Sequence, residues 1–440
     1  RRSGERTTLI KWVAITTAGN AGAPRPRGNV MKRSLVSGAC LAMMLTAAPA
    51  MAQRAEVIHW WTSGGESAAV KVFADAYDKA GGTWVDTAIA GGSNARTAAI
   101  NRTIGGDPPT AMQFNTGKQF DELVENDMLA NVDALAKAEN WKGIMPAAIY
   151  NAVLRDGHVY AAPINIHGQN WLFYSTAVFE KAGVQAPTNW EDIFPVMDKI
   201  KAAGFIPLAF SGQKTWERGL FNAVLVGKGS SEMFVSFWGK RDAATVKSPQ
   251  FREVAETFRK LHGYMDPGAP GRNWNDATSL VITGKAGMQF MGDWAKGEFT
   301  AAGQTAGQQY GCTVLSDHGV AYQLGGDVIA FPKQKSAEAT AAQQKLAGVL
   351  LDPATQIAFA RKKGSIPVRQ DVDVGSLDVC AQKAHAWIAD PKAQVPANEL
   401  LSPPAITGAV EDVVSQYFND PSMTTDAFIA KVSAALTQPI

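Results

Sequence analysis

The sequence predicts an α/β protein of two domains, and three observations carry that prediction. Strand-like runs alternate with amphipathic helical stretches from residue 53 to about 128, the pattern restarts near Thr188, and proline-flanked extended segments near 163 and 322 send the chain between domains more than once. Residues 53–440 are long enough for both, at roughly 100–200 residues per domain.

"RAEVIHWW" reads as the first strand, and "SAAVKVFADAYDKAG" as a helix with Ala69, Val70, Phe73 and Tyr77 on one face. "TWVDTAIA" and "TAMQFN" are the next strands, "NARTAAINRTI" and "GKQFDELVENDML" the helices that follow them. Strand, helix, strand repeated in this way predicts a largely parallel sheet. In such sheets ligands bind beyond the carboxyl ends of the strands, where Trp60, Trp61, Gln113 and Asn115 fall. "GHVYAAPINIHGQNWLFYSTAVFEKAG" is an extended crossing, a strand and a helix ending at Gly183; "TNWEDIFPVMDKIKAAG" and "IPLAF" open the second α/β domain. "KAGMQFMGDWAKGEF" is a strand running through a turn into a helix, and "GVAYQLGGDVIAFPK" is another crossing.

Residues 1–30 are basic, punctuated by Gly and Pro and without periodicity, and read as an upstream segment outside the fold. "MKRSLVSGACLAMMLTAAPAMAQ" then has a Lys32-Arg33 head, an apolar stretch and an Ala50-Met51-Ala52 end, the parts of a secretory signal over 31–52 with cleavage after Ala52. Its apolar stretch is shorter than the roughly 20 residues a membrane span needs. Ser37 before Cys40 is not the aliphatic residue usual in a lipoprotein signal. The expected location is the periplasm, where the pair Cys312 and Cys380 suits a disulfide.

The whole chain has a formal charge of +2, but its 42 Lys/Arg and 40 Asp/Glu become 34 and 39 once the eight bases and one acid of residues 1–52 are set aside. A balance near −5 gives no electrostatic case for nucleic acid or an anionic membrane. The six histidines (59, 158, 167, 262, 318, 385) show no metal-ligand spacing, and the chain has no P-loop, strand-bound GxGxxG or GxSxG elbow. No cofactor is expected. Glycoside hydrolysis needs only two suitably separated carboxylates, for which Glu66, Glu217, Asp293 and Asp327 are available, so a secreted glycosidase is the alternative from another class.

Tryptophan beside polar turns recurs: Trp60-Trp61, Trp216 in "GQKTWERG", Trp274 in "RNWNDA" and Trp294 in "MGDWAKG". A pyranose offers an apolar C–H face and a belt of hydroxyls, so a site for it wants flat aromatic plates and charged hydrogen-bond partners around the rim. On that reading one of Trp60 and Trp61 braces the strand end and the other stacks on sugar.

"VIHWWTSGGE", "NIHGQNWLFYS", "FMGDWAKGEF", "LGGDVIAFPK" and "RKKGSIPVR", in this order after a signal peptide, resemble the extracellular solute-binding proteins (family 1) of ABC sugar importers, most of all Gram-negative glucose-binding proteins. The resemblance spans residues 53–440. It implies a non-enzymatic protein with the two-lobed type II periplasmic-binding-protein-like fold, two α/β domains joined by a multi-strand hinge. The lobes would be 53–164 plus 322–352 and 165–321 plus 353–440, closing on a monosaccharide, glucose favoured, and delivering it as a monomer to inner-membrane permease subunits. A disaccharide or other polar solute is the alternative ligand. Family ligand positions fall on Trp60, Trp61, Glu66, Gln113, Asn115, Lys118, Trp274, Trp294, Asp327 and Lys363; likeness to the maltose-binding branch adds His167 and Trp216. Two departures stand out. Gly168 replaces the Arg that relatives tend to have after "NIH", and "VPANELLSPP" offers only Asn398 or Glu399 where some relatives carry a sugar-contacting His.

Overall fold

The computed structural model describes residues 53–439; the upstream segment and the signal sequence lie outside the described residues. Two main sheets organise the chain. In the first, the fully buried stretch Val57-Ile58-His59 of strand Gln53–His59 runs parallel to Gly82–Ala88 on one side and Ala111–Asn115 on the other. Asp327–Ala330 lies antiparallel between Ala111–Asn115 and Ala161–Pro163, so Ala161–Pro163 runs the same way as the first three strands. In the second, Ile206–Leu208 runs parallel to Ala286–Met291, while Trp171–Ser175 is antiparallel to both of its neighbours, Ala286–Met291 and Tyr310–Thr313. The expected largely parallel arrangement holds in direction, four of five strands in the first sheet and three of four in the second running the same way. One strand of each sheet runs opposite to the rest, Asp327–Ala330 in the first and Trp171–Ser175 in the second, and both enter from the crossings with no crossover helix to turn them.

A third sheet joins His167–Gly168, Tyr322–Gly325 and Gln394–Pro396. Its first two strands lie on segments running between the main sheets: Ala161–Pro163 leads through His167–Gly168 to Trp171–Ser175, and Tyr322–Gly325 leads through Gly326 to Asp327–Ala330. The architecture is bilobed, with these strands as the multi-strand hinge.

Helix Gly64–Lys79 begins in a capping box, Ser63 Oγ accepting from the Glu66 N–H and the Glu66 carboxylate reaching back to the Ser63 N–H. It buries Ala69, Val70, Phe73 and Tyr77, the face its spacing predicts. Phe73 stacks on Phe359 of helix Pro353–Lys363 at 4.1 Å between centroids. The helix expected over "GKQFDELVENDML" is instead a 3₁₀ turn, Lys118–Phe120, and a short helix, Asp121–Glu125. It stops because Asp127 turns left-handed (φ 56°) and the Met128 N–H folds back onto the Leu123 carbonyl. The helix ending at Gly183 is as expected, with Gly183 left-handed at its C-cap (φ 63°). In the second lobe Trp190 lies flat on Phe290 at 5.2 Å, and Phe221 packs edge-on against Phe251, Phe258 and Phe428. Cys312, on strand Tyr310–Thr313, and Cys380, in the first turn of helix Val379–Ala389, form a buried disulfide.

Candidate functional site

A cleft of about 710 Å³ opens where strand ends of the first sheet meet helices of the second lobe. At the end of strand Gln53–His59 the two tryptophans part. Trp60 lines the cleft, with Arg96 5.5 Å over its ring, while Trp61 is 1% exposed and packs among His59, Phe73 and Phe359. His59 fixes the turn: its Nδ1 accepts the Trp61 N–H at 3.2 Å, which leaves Nε2–H to donate to Asp86 at 2.7 Å. Gln113 is buried behind the cleft and holds Trp60 in place, its Oε1 accepting the Trp60 N–H at 3.0 Å. Lys118 is exposed and outside the cleft. The structure thus brings Trp60, Glu66, Asn115, His167, Trp216, Trp274, Trp294, Asp327 and Lys363 to one cleft, and does not bring Trp61, Gln113 or Lys118 to its surface.

The polar floor consists of two buried ionic clusters. Lys363 Nζ meets Glu66 Oε1 at 3.0 Å and lies 5.8 Å over the Trp294 ring. Glycine permits this approach, since a Cβ on Gly65 would stand 2.5 Å from the Gly297 backbone, and the Gly65 N–H donates to Glu298 at 2.8 Å. In the second cluster His167 on the hinge bridges Asp293 of the second lobe, at Nδ1, and Asp327 of the first sheet, 2.9 Å from Nε2. Asn165 donates to Asp327 at 2.9 Å, and Asn115 does so at 3.3 Å. Burial alone would lower the His167 pKa, but the two carboxylates outweigh it and push it up to about 9, so the ring is an imidazolium donating from both nitrogens. Burial likewise acts to raise Asp327, and the His167 and Lys363 charges with the Asn165 hydrogen bond hold it below its ordinary value.

The aromatic wall is a row of three indoles, Trp274, Trp216 and Trp294, with centroids 6.4 and 5.9 Å apart; Trp294 stands edge-on to His167 at 5.1 Å. Asn398 and Glu399 both line the cleft; Asn398 is buried, its Oδ1 taken by Arg218 at 2.7 Å and Asn222 at 3.0 Å, while the Glu399 carboxylate accepts from Gln169. The glycine that departs from the relatives is enforced locally, because a Cβ on Gly168 would lie 2.2 Å from the Tyr322 ring. Arg96, Arg218 and Gln169 also line the cleft and were not singled out by sequence reasoning. For Arg96 a signal was present: a cation near the start of a helix that follows a Gly-Gly turn at a strand end runs against the helix dipole.

The four carboxylates considered for glycoside hydrolysis are all engaged by protein groups. Glu66, Asp293 and Asp327 are bound to cations, and Glu217 sits outside the cleft, accepting from Asn419 at 2.7 Å.

The family model for bacterial extracellular solute-binding proteins matches residues 72–394. The chain belongs to this family. The solute-binding protein is 36% identical over 396 residues to a "Probable sugar-binding periplasmic protein" of Brucella suis biovar 1 (strain 1330), covering 87% of this chain and 93% of the relative. Among solved structures, a chitin oligosaccharide binding protein superposes with a TM-score of 0.74 at 18% identity, covering 87% of this chain and 98% of its own. The bacterial solute receptor AcbH, described as having an exclusive preference for β-D-galactopyranose, superposes with a TM-score of 0.73 at 18% identity, covering 87% and 96%. The family is one of extracellular solute-binding proteins, and this member is a binder rather than an enzyme.

Proposed function

We propose that the protein captures a carbohydrate in the periplasm, encloses it between its lobes and delivers it to the inner-membrane permease of an ABC importer. The observation that carries this reading is the pairing of an indole wall, Trp274, Trp216 and Trp294, with a floor of fixed ionic groups, Lys363–Glu66 and His167–Asp327. The indoles suit the C–H face of a sugar ring. Paired charges keep their remaining lone pairs and protons free for hydroxyls without leaving a buried charge uncompensated.

The ligand is less narrowly drawn than the glucose the sequence favoured. One fold at nearly equal TM-score serves a galactose receptor and a chitin-oligosaccharide binder, which favours a disaccharide or other polar solute over a fixed monosaccharide. The cleft of about 710 Å³ agrees, falling within the roughly 300–1,000 Å³ of sites that enclose drug-sized ligands. Tryptophan emission titrated with monosaccharides, disaccharides and aryl glycosides tests the reading. Saturable change without aglycone release supports it, and aglycone release abolished by Asp327→Asn overturns it.

A further inference from the structure

The four cations lining the cleft are not equivalent. Lys363 has Glu66 at 3.0 Å, His167 has Asp327 at 2.9 Å, and Arg218 has Glu411 at 2.8 Å. Arg96 differs. Among the described residues no carboxylate lies within ion-pair distance of its guanidinium, and its side chain donates to Ser93 Oγ at 3.2 Å. It is half-buried against Trp60, and burial, opposed by the charge of Glu399, lowers its pKa from the ordinary value. A half-buried guanidinium with a single hydroxyl acceptor leaves most of its five donors without a protein partner, and its fork suits paired oxygens.

The charges that act on Arg96 are Glu399, Arg218 and Glu411; those that act on Asp327 are His167 and Lys363. The two sets share no member, yet all line one cleft. Each has an aromatic plate of its own, Trp60 beside Arg96 and Trp294 beside Lys363. The row from Trp294 through Trp216 to Trp274 extends the aromatic wall by steps of 5.9 and 6.4 Å, its rings tilted 48° and 60° to one another.

We infer that the cleft holds two sugar units, an inner one over Asp327, Lys363 and Trp294 and an outer one over Trp60, and that Arg96, with Glu399, determines specificity for the outer unit. The inference rests on the carbohydrate reading above and names its ligand class as a disaccharide or longer. Arg96 donates two parallel hydrogen bonds to neighbouring oxygens of the outer ring, and the Glu399 carboxylate accepts from a hydroxyl.

The test is calorimetry of wild type, Arg96→Lys and Arg96→Ala with glucose, galactose, maltose, cellobiose, lactose and diacetylchitobiose, thermal unfolding confirming that both variants fold. Wild type is expected to bind at least one disaccharide tenfold or more tighter than either monosaccharide. Arg96→Ala should cut that ratio at least tenfold, and Arg96→Lys, which keeps the charge but loses the fork, should restore only part of it. A wild type that prefers monosaccharides, or an Arg96→Ala that leaves the ratio intact, overturns the outer unit while the sugar-binding reading stands. A wild type that binds no sugar of the panel overturns both.

Discussion

Replacing Lys363 by Met removes half of a buried ion pair. Lys363 is 2% and Glu66 6% exposed, and 3.0 Å separates Nζ from Oε1, so loss of the ammonium strands a carboxylate that water scarcely reaches. Breaking such a pair from one side typically costs about 3–5 kcal/mol. Glu66 keeps the Thr62 and Ser63 N–H groups at 3.3 and 3.4 Å, long bonds that soften the loss, so Lys363→Met is expected near the lower end, about 3 kcal/mol. Glu66→Gln retains an acceptor for the cap but strands the ammonium, at a similar cost. The double variant should lose about 2 kcal/mol less than the sum, because neither partner is then left charged and alone. Urea unfolding followed by tryptophan emission measures all four proteins. Losses that add to within about 0.5 kcal/mol would refute the argument, since uncoupled sites add to that tolerance.

The His167 cluster makes stability depend on pH. A group raised from 6.5 to about 9 contributes fully below the unfolded value and loses its contribution as pH rises through 9, so wild type should lose on the order of 3 kcal/mol between pH 6.5 and 9.5. His167→Gln should flatten that limb, the facing charges being Asp293 and Asp327, with Lys363 beyond Asp327; an unchanged limb would place the titration elsewhere. Asp327, lowered in the fold, adds an acid limb of opposite sign, lost as pH falls below about 4. The Cys312–Cys380 link spans 68 residues, so replacing both by Ala should lower stability by about 4 kcal/mol, and alkylation of non-reduced, denatured protein should label neither cysteine.

Much of this was legible because it is local. The first strand, the capped helix after it and its buried face follow from period, and the fourfold recurrence of tryptophan at polar turns pointed to the cleft that Trp60, Trp216, Trp274 and Trp294 now line. What strand alternation could not decide is which of Trp60 and Trp61 faces inward. That depends on Phe359, almost three hundred residues later in the chain, closing over Trp61. Lys118 matched a family position, but the helix expected to carry it is only a 3₁₀ turn, and the side chain stays exposed. The His167 bridge needed two carboxylates 126 and 160 residues distant to reach one ring, and the one reversed strand of each main sheet, Asp327–Ala330 and Trp171–Ser175, comes off a crossing that the alternation of strand and helix does not predict.

The measurement that tests the central claim most directly is calorimetric titration of wild type and Trp294→Ala with the sugar panel. The indole is placed between Lys363, His167 and Trp216, so the account predicts saturable sugar binding by wild type and a loss of about 1–3 kcal/mol for every accepted sugar in the variant. Wild-type binding that Trp294→Ala leaves within about 0.3 kcal/mol of its original strength, well below the loss expected for a buried aromatic contact, would contradict it.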